Sequence, residues 1–148
     1  MARRKRHWLL NLIIVLTVVV CLLAFTAHYR NWTRLKDDRM QLLTGLYFLD
    51  LPYTQLDTVL WKEQIPAMER SHGFSFFARE KGVFTDSLSP GRPVYVFVDD
   101  LRQYKMEIHY SDTLVLYLNF ADSLETHSMY EYLLERIRSE GAIINPKP

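Results

Sequence analysis

The first apolar segment of the chain, Trp8 to Ala27, reads WLLNLIIVLTVVVCLLAFTA and contains no formally charged residue. At about 1.5 Å of rise per residue, a helix of this length matches a hydrocarbon core of about 30 Å. Its backbone polar groups are satisfied within the helix, as a membrane requires. The pattern predicts a cytoplasmic basic tail at 1–7 and a transmembrane helix at 8–28. The tail carries four contiguous basic residues, Arg3, Arg4, Lys5 and Arg6.

A cleaved signal peptide is the rival interpretation of this segment, because it too begins with basic residues and an apolar stretch. Signal peptides have apolar regions of about 7 to 15 residues that end in a small-x-small site. Here the run is longer, and Phe25-Thr26-Ala27 places a bulky ring where a small side chain is required. The sequence therefore favours a retained anchor.

Basic residues on both sides of the span bear on its orientation. The four in the tail are opposed by an equal number on the other flank, Arg30, Arg34, Lys36 and Arg39. The first group is contiguous and lies against the helix, whereas Asp37 and Asp38 interrupt the second. Since clustered cationic residues stay in the cytoplasm, we expect a bacterial inner-membrane protein with a cytoplasmic N-terminus and a periplasmic C-terminal domain.

Residues 29–51 carry side chains at alternating steps of three and four that are typical of a helical seam. The seam consists of Trp32, Leu35, Arg39, Leu42, Leu46 and Leu49. We predict a juxtamembrane helical stalk that continues the transmembrane helix. It either pairs with a second helix, from its own copy or a partner, or packs on the protein's own sheet. Tyr29 and Trp32 after the span, and Trp8 at its start, are expected to contact membrane lipid as interfacial anchors.

Residues 52–148 are expected to form one extracytoplasmic α+β domain. The proline of Leu51-Pro52 ends the stalk, because the residue before a proline avoids helical geometry. A second helix is predicted to begin near Thr54 and to end at Gly73.

From Phe74 onward the apolar period becomes two, which predicts about four to six antiparallel strands. The strand segments are 74–77, 83–85, 93–98, 103–110 and 113–120. The segment 113–120 is apolar on both faces, so we expect a central strand. A last helix runs from Asp122 to Gly141, and 142–144 adds an edge strand. The helices then cover one face of the sheet.

Charge and cysteine content exclude several kinds of site. Without the four basic residues of the tail, 14 basic residues face 17 acidic ones, and this net charge of −3 indicates no nucleic-acid surface. Cys21 is the single cysteine and lies in the span, so the domain forms no disulfide and no thiolate metal site.

No arrangement of residues in the sequence indicates catalysis. The five glycines are scattered, and no nucleophile elbow or zinc-type His-x-x-x-His motif occurs. His109 and His127 are the pair of histidines that folding could bring together as a pH-sensitive group. Asp99-Asp100 is interpreted as a hairpin turn. We predict no catalytic residue, no cofactor and no metal, and we do not expect an enzyme.

The layout favours an accessory protein whose extracytoplasmic domain binds, stabilises or regulates a partner membrane protein or envelope complex. The partner is another membrane protein, or a second copy bound through the stalk helix. The residues expected to bind it are Trp32, Leu35, Leu42, Leu46, Tyr53 and Trp61. The alternative is a domain that senses pH or a small molecule and signals through a partner, with a pocket lined by Phe76, Phe97, Tyr104 and Leu116. An enzyme with an uncommon site is the third class.

Overall fold

The computed structural model describes residues 3–86, 91–111 and 114–144, and for 3–6 and 141–144 it describes the backbone alone. In chain order, these residues form α1 (Arg3–Tyr29), β1 (Trp32–Leu35), β2 (Arg39–Thr44), β3 (Tyr47–Pro52), β4 (Leu56–Lys62), β5 (Glu69–Phe76), β6 (Arg79–Thr85), β7 (Pro93–Val98), β8 (Lys105–Tyr110), β9 (Leu114–Asn119) and α2 (Ser123–Ile144). The α+β class is confirmed, although these nine strands exceed the predicted number.

Helix α1 contains the whole N-terminal apolar segment. Within the described residues, His7–Tyr29 is the one helical stretch long and apolar enough to cross a membrane. Its side chains are exposed along almost the entire span, as expected of a helix whose surroundings are lipid. A signal sequence near an N-terminus can pass the same test of helix length and hydropathy, so this feature alone identifies a candidate anchor.

The predicted helical stalk at 29–51 is wrong. Strands β1, β2 and β3 occupy this segment and form a three-stranded antiparallel sheet in that order. The apolar period is two: Met40 and Leu42 of β2 and Leu51 of β3 point into the core, and their neighbours face outward. Gly45, with a φ of +57°, makes the turn between β2 and β3. The apparent seam thus combined inward, outward and turn positions of a sheet.

Two other secondary-structure predictions are corrected. The helix expected from Thr54 is a single 3-10 turn, Tyr53–Gln55, followed by β4. Pairing of β4 with β8 along its length outweighs the local helical spacing. Gly141 does not end α2, which continues to Ile144 in place of the predicted edge strand.

The larger sheet has six strands in the order β4-β8-β9-β7-β6-β5. Neighbouring strands are antiparallel except β7 and β9, which are parallel. The strands predicted at 93–98, 103–110 and 113–120 are confirmed as β7, β8 and β9, and position 113 of the last prediction lies outside the described residues. Strand β9 lies between β8 and β7, which confirms its predicted central position.

The two faces of this sheet are covered by different elements. On the first face, α2 and the small sheet enclose a core that includes Met40, Phe97, Met106, Ile108, Leu116 and Leu133. The folded head therefore includes β1 to β3 and begins directly after α1. On the second face, a smaller apolar cluster packs under Ile65 and Met68. These two residues belong to segment 63–68, here called the strap, which connects β4 at one edge of the sheet to β5 at the other.

Candidate functional site

The junction between α1 and the head is a buried polar network centred on Asn31. The Asn31 side-chain amide donates to the carbonyl oxygens of Phe97 at 2.7 Å and Asn119 at 2.8 Å. Its Oδ1 accepts from Thr44 Oγ1 at 2.7 Å, and the residue is only 4% exposed. Because its partners belong to β7, β9 and β2, the chain leaving the helix is fastened to both sheets. We call this end of the head, where Asn31 lies, the near end.

A buried ion pair adjoins this network. Lys81 Nζ lies 2.8 Å from Asp99 Oδ1, and both side chains are 1% exposed. The backbone N–H of Asn31 donates to Asp99 Oδ2 at 3.2 Å, and the N–H of Asp99 donates to Asn119 Oδ1 at 2.8 Å. Burial lowers the pKa of Lys81, and its contact with the Asp99 carboxylate opposes that shift. Separating the pair would leave a buried unpaired charge, so the geometry of the near end is strongly specified.

The turn between β2 and β3 packs on the last turn of α1. The N–H of Gly45 donates to the carbonyl oxygen of Ala27 at 3.2 Å. A side chain at Gly45 would overlap the ring of His28, whose Cδ2 lies 2.5 Å from the position a Cβ would take. The ring of His28 also meets Phe74 of β5 edge-on at 5.6 Å. Leu46, next in this turn, is 89% exposed.

The hairpin of β5 and β6 packs on the same end of α1 from another side. The rings of Phe25 and Phe76 meet edge to face, with their centroids 6.3 Å apart. The guanidinium of Arg79 lies 3.9 Å from the centroid of the Tyr29 ring, which is a cation–π contact. The helix end is thus held between two hairpin turns.

An apolar row crosses the outer face of the small sheet at the near end. Trp32 pairs with Leu43, and Leu43 pairs with Phe48. Their exposed fractions are 55%, 46% and 60%. Directly opposed residues of antiparallel strands point to the same face, so the three side chains stand side by side. We call these three residues the exposed row.

Two residues farther along the strands, the same face becomes polar. Arg34 pairs with Gln41, and Gln41 pairs with Asp50. Gln41 donates to Asp50 at 3.2 Å, and Arg39 forms an ion pair with Asp50 at 2.9 Å. The outer face therefore changes from apolar beside α1 to charged about 7 Å farther away, at about 3.3 Å per strand residue.

Some of the predicted partner-binding residues are exposed in the structure and others are buried. Trp32, Leu35 and Leu46 are exposed and remain candidates. Leu42 and Tyr53 are 0% and 2% exposed, which corrects their assignment: both belong to the core and cannot reach a partner. Leu42 lies one residue from an exposed position, because successive strand residues face opposite sides.

The remaining predicted residues lie at three places. Trp61 is half-buried and packs between Tyr104, at 5.8 Å, and Tyr130, at 4.9 Å, in ring-centroid distances. Tyr29 ends α1, and Trp8 lies near its start with 66% exposure. The four basic residues of the tail are helical in α1 from Arg3 onward, and their side chains lie outside the described atoms.

The second face of the large sheet carries a cluster of acidic and basic side chains from β4, β8 and β9. Glu107 Oε1 lies 2.7 Å from His109 Nε2, and Tyr117 Oη donates to Glu107 Oε2 at 3.0 Å. Lys62 Nζ lies 3.5 Å from the same Oε2. Burial alone raises the pKa of Glu107, but the hydrogen bonds from His109 and Tyr117 and the charge of Lys62 bring it below its usual range.

Two cavities flank the strap on this face. The first, of about 370 Å³, is lined by Lys105, which is 1% exposed and donates to the carbonyl oxygens of Glu63 at 2.6 Å and Leu101 at 3.0 Å. Burial lowers the pKa of Lys105. The second cavity, of about 210 Å³, is lined by Glu107 and His109. The hydrogen bond from Lys105 to Glu63 holds the start of the strap, whereas Glu107 and His109 at the second cavity contact each other.

The predicted sensing pocket does not form. Phe97 and Leu116 are 0% exposed in the core, Phe76 lies on the β5–β6 hairpin, and Tyr104 stacks on Trp61. These side chains line no common cavity among those described.

The predicted histidine pair is also absent. His109 contacts Glu107 on the second face, whereas His127 is on α2 and packs against Trp61 with ring centroids 5.9 Å apart. The two histidines therefore lie on opposite sides of the sheet.

The predicted hairpin turn at Asp99-Asp100 is wrong. These two residues lead from β7 into a turn at 101–102, and each carboxylate is engaged by another residue of the head. The turn does not form a hairpin, since β7 and β8 are not neighbours in the sheet. Asp100 accepts from the backbone N–H of Arg102 at 3.0 Å, and the Arg102 guanidinium lowers the pKa of this carboxyl.

Within the described ranges, no three His, Cys, Asp or Glu side chains are grouped so that they could hold a metal ion. Comparison with protein-family models, with curated proteins and with solved structures finds no match to this chain.

Proposed function

We propose that this chain is a single-pass, membrane-anchored accessory protein whose head binds a partner membrane protein beside the end of α1. The exposed row carries the proposal. Three large apolar side chains on one face are costly to leave in water, and such patches are typical of interaction sites. Trp32 also lines a shared groove with Phe25 and Tyr29 of α1, so the row is continuous with the helix surface.

The packing around the end of α1 supports a retained anchor over a cleaved signal sequence. Cleavage after Ala27 would remove the carbonyl group that accepts from Gly45 and the ring of Phe25 on which Phe76 packs. A segment that is discarded during export has no need of complementary contacts in the mature domain. The contiguous basic tail supports a cytoplasmic N-terminus and a periplasmic head in a bacterial inner membrane.

The two zones of the outer sheet face define the surface that the partner should present. The exposed row requires an apolar surface at the level of the helix end. The zone above it offers Arg34, Gln41 and Asp50, which suit a polar partner surface about 7 Å farther from the bilayer. A neighbouring membrane protein suits both requirements, because its surface is apolar at the edge of the bilayer and polar above it. We propose no reaction for the head.

Photo-crosslinking in native membranes tests this function. A photoreactive side chain is placed at Leu43 or Phe48 of the full chain, and at Leu60 of β4 as a control that is also 40% exposed. We expect one adduct with a different protein from both row positions and none from Leu60. Leu43→Glu should lower the adduct yield at Phe48 by about tenfold, as loss of a central apolar contact would. Adducts with a second copy, or equal labelling from Leu60, would contradict the proposal.

One observation favours the sensing alternative. The Glu107–His109 pair lies in a cavity beside the strap, and histidine is the side chain that proteins most often use as a pH-sensitive group. If the head senses pH, crosslinking from the exposed row should change between pH 5 and 8 in the native chain, by about threefold or more, and His109→Gln should abolish the change. A pH-independent yield would exclude this alternative.

A further inference from the structure

We propose that the tip of the β5–β6 hairpin, Phe76 and Phe77, inserts into the lipid bilayer beside α1 and gives the head a second membrane contact. The inference rests on α1 being retained in the membrane, as proposed above. The occupant is the acyl-chain region of the leaflet from which the head emerges.

The position of the hairpin along α1 carries the argument. Phe76 packs on Phe25, which lies four residues before Tyr29 within the candidate span. At about 1.5 Å per helical residue, Phe25 is about 6 Å deeper than Tyr29. Tyrosine rings at helix ends mark the level of the lipid headgroups. The hairpin tip therefore reaches the depth of about 5–10 Å at which interfacial apolar groups are buried.

The groove between the hairpin and α1 has the lining expected of a lipid-filled site. It encloses about 440 Å³, and its exposed surface is almost entirely apolar. It is formed by Cys21, Ala24, Phe25 and His28 of the helix with Phe74, Ser75 and Phe76 of the hairpin. Cys21 lies eight residues before Tyr29, about 12 Å deeper along the helix. A groove whose wall lies inside the span opens towards acyl chains and not towards water.

The backbone at the tip supports the same conclusion. Phe77 has a φ of +52°, a left-handed conformation that non-glycine residues rarely adopt. Glycine or asparagine is the usual residue at such a turn position. Phe77 is also 89% exposed, so its ring has no packing within the head that would explain a bulky residue there. Its ring meets Phe76 at 4.6 Å, and together they form one apolar wedge.

The groups above the wedge are suited to the headgroup layer. Arg79, at the start of β6, lies over the ring of Tyr29, which places a guanidinium at the level of the lipid phosphates. On the other side of the helix, Leu46 extends from the β2–β3 turn at 89% exposure. The near end thus combines apolar tips with a cation just above them, as in interfacial membrane anchors.

The test measures the depth of the tip in the full chain. Phe77→Cys in a Cys21→Ala background carries an environment-sensitive fluorophore and is reconstituted in vesicles of phosphatidylethanolamine and phosphatidylglycerol. The control is the same label at Thr58→Cys, an exposed position in register with His109 and far from α1. Nitroxide lipids quench each label from a position near the acyl-chain carbonyl or near the terminal methyl.

We expect the label at 77 to be quenched by the shallow nitroxide about threefold or more strongly than the label at 58. The deep nitroxide should quench it less than the shallow one does. Phe76→Ser in the same labelled chain should reduce the shallow quenching, whereas Leu60→Ser should not. Alkaline carbonate extraction of the same vesicles reports separately whether the chain is integral.

Each outcome decides the question. An integral chain with label 77 in water overturns the hairpin insertion and leaves the proposed function standing. A chain released by carbonate overturns both. Shielding of label 77 that appears only at high protein density, with crosslinks to a second copy, overturns the lipid assignment in favour of a protein occupant.

Discussion

The near and far ends of the head differ in what they expose and in what they bury. At the near end, large apolar side chains face outward beside α1: Trp32, Leu43, Leu46, Phe48, Phe76 and Phe77. Beneath them lie the ion pair of Lys81 with Asp99 and the side chain of Asn31, all buried. The far end of the head is where β5 begins and β6 ends. The polar contact there is exposed: the side-chain hydroxyls of Ser71 and Thr85 form a hydrogen bond of 3.1 Å.

This difference supports the proposal that the near end is covered by lipid or a partner. A surface that faces water places polar groups outside, as the Ser71–Thr85 contact at the far end does. At the near end the polar groups of Asn31, Lys81 and Asp99 are buried, and large apolar side chains are exposed beside α1.

The largest effect should come from separating the buried ion pair. Lys81→Met leaves the Asp99 carboxylate buried and unpaired, which should cost about 3–5 kcal/mol of unfolding free energy. Adding Asp99→Leu to Lys81→Met removes the unpaired buried charge and should restore most of the lost unfolding free energy. Urea unfolding of the full chain in detergent micelles measures both. A single variant within about 1 kcal/mol of the native chain would show that the pair is not buried as described.

Adjacent residues of β2 give the next contrast. Leu42→Ala empties a core position and should cost about 2–5 kcal/mol, whereas Leu43→Ala in the exposed row should change stability by less than about 0.5 kcal/mol. The same denaturation experiment compares them. Equal losses would mean that the outer face of the small sheet is covered within the protein itself, which would remove the basis of the partner surface.

Removing the side chain that fastens α1 should have an intermediate effect. Asn31→Ala leaves the carbonyl oxygens of Phe97 and Asn119 without this donor, at a cost of about 1–3 kcal/mol. Ser71→Ala at the far end breaks an exposed hydrogen bond and should cost less than about 0.5 kcal/mol. Amide hydrogen exchange adds a local readout, since Gly45 should exchange faster in Asn31→Ala than in Ser71→Ala. Similar behaviour of the two variants would contradict the distinction between the ends.

The smallest effect is expected for the pH dependence of stability, through Glu107 in the middle of the second face. The folded pKa of Glu107 lies below its ordinary value of 4.5, so its contribution to stability is present above that pH and is lost as pH falls through the folded value. Glu107→Gln should therefore flatten the acid side of the stability curve below about pH 4.5. A curve as steep as that of the native chain would show that Glu107 is not the group responsible.

Much of the fold could be predicted where the chain has one clear period. The apolar span, the alternation in β8 and the two-sided apolar β9 each satisfy a single template over their length. The segment 29–51 does not follow a single period, because steps of three and four also occur when two short strands and a tight turn follow one another. The turn residues Asp37-Asp38 and Gly45 were the local signal of strands, and Met40 and Leu42 supplied the period of two.

The near-end site could be predicted only in part. Trp32 and Leu46 were predicted as positions of a helical seam that does not form, and both are exposed in the structure for a different reason, on a strand and in a turn. The ion pair joins Lys81 to Asp99 across two strands, and Asn31 bonds to residues more than sixty positions away. No sequence period reports such contacts, since they depend on strand order. The burial of Lys105 likewise depends on the strap, which lies about forty residues earlier in the chain.

The central claim is that the end of α1 is part of the folded head. Crosslinking in native membranes tests it directly, with Phe25→Cys and Phe76→Cys in a Cys21→Ala chain and a short thiol-specific crosslinker. Ser71→Cys with Thr85→Cys checks the reagent, and Phe25→Cys with Ser71→Cys is the negative control. The account predicts an intramolecular link between positions 25 and 76 as efficient as that between 71 and 85. A head that links 71 to 85 but never 25 to 76 would contradict it.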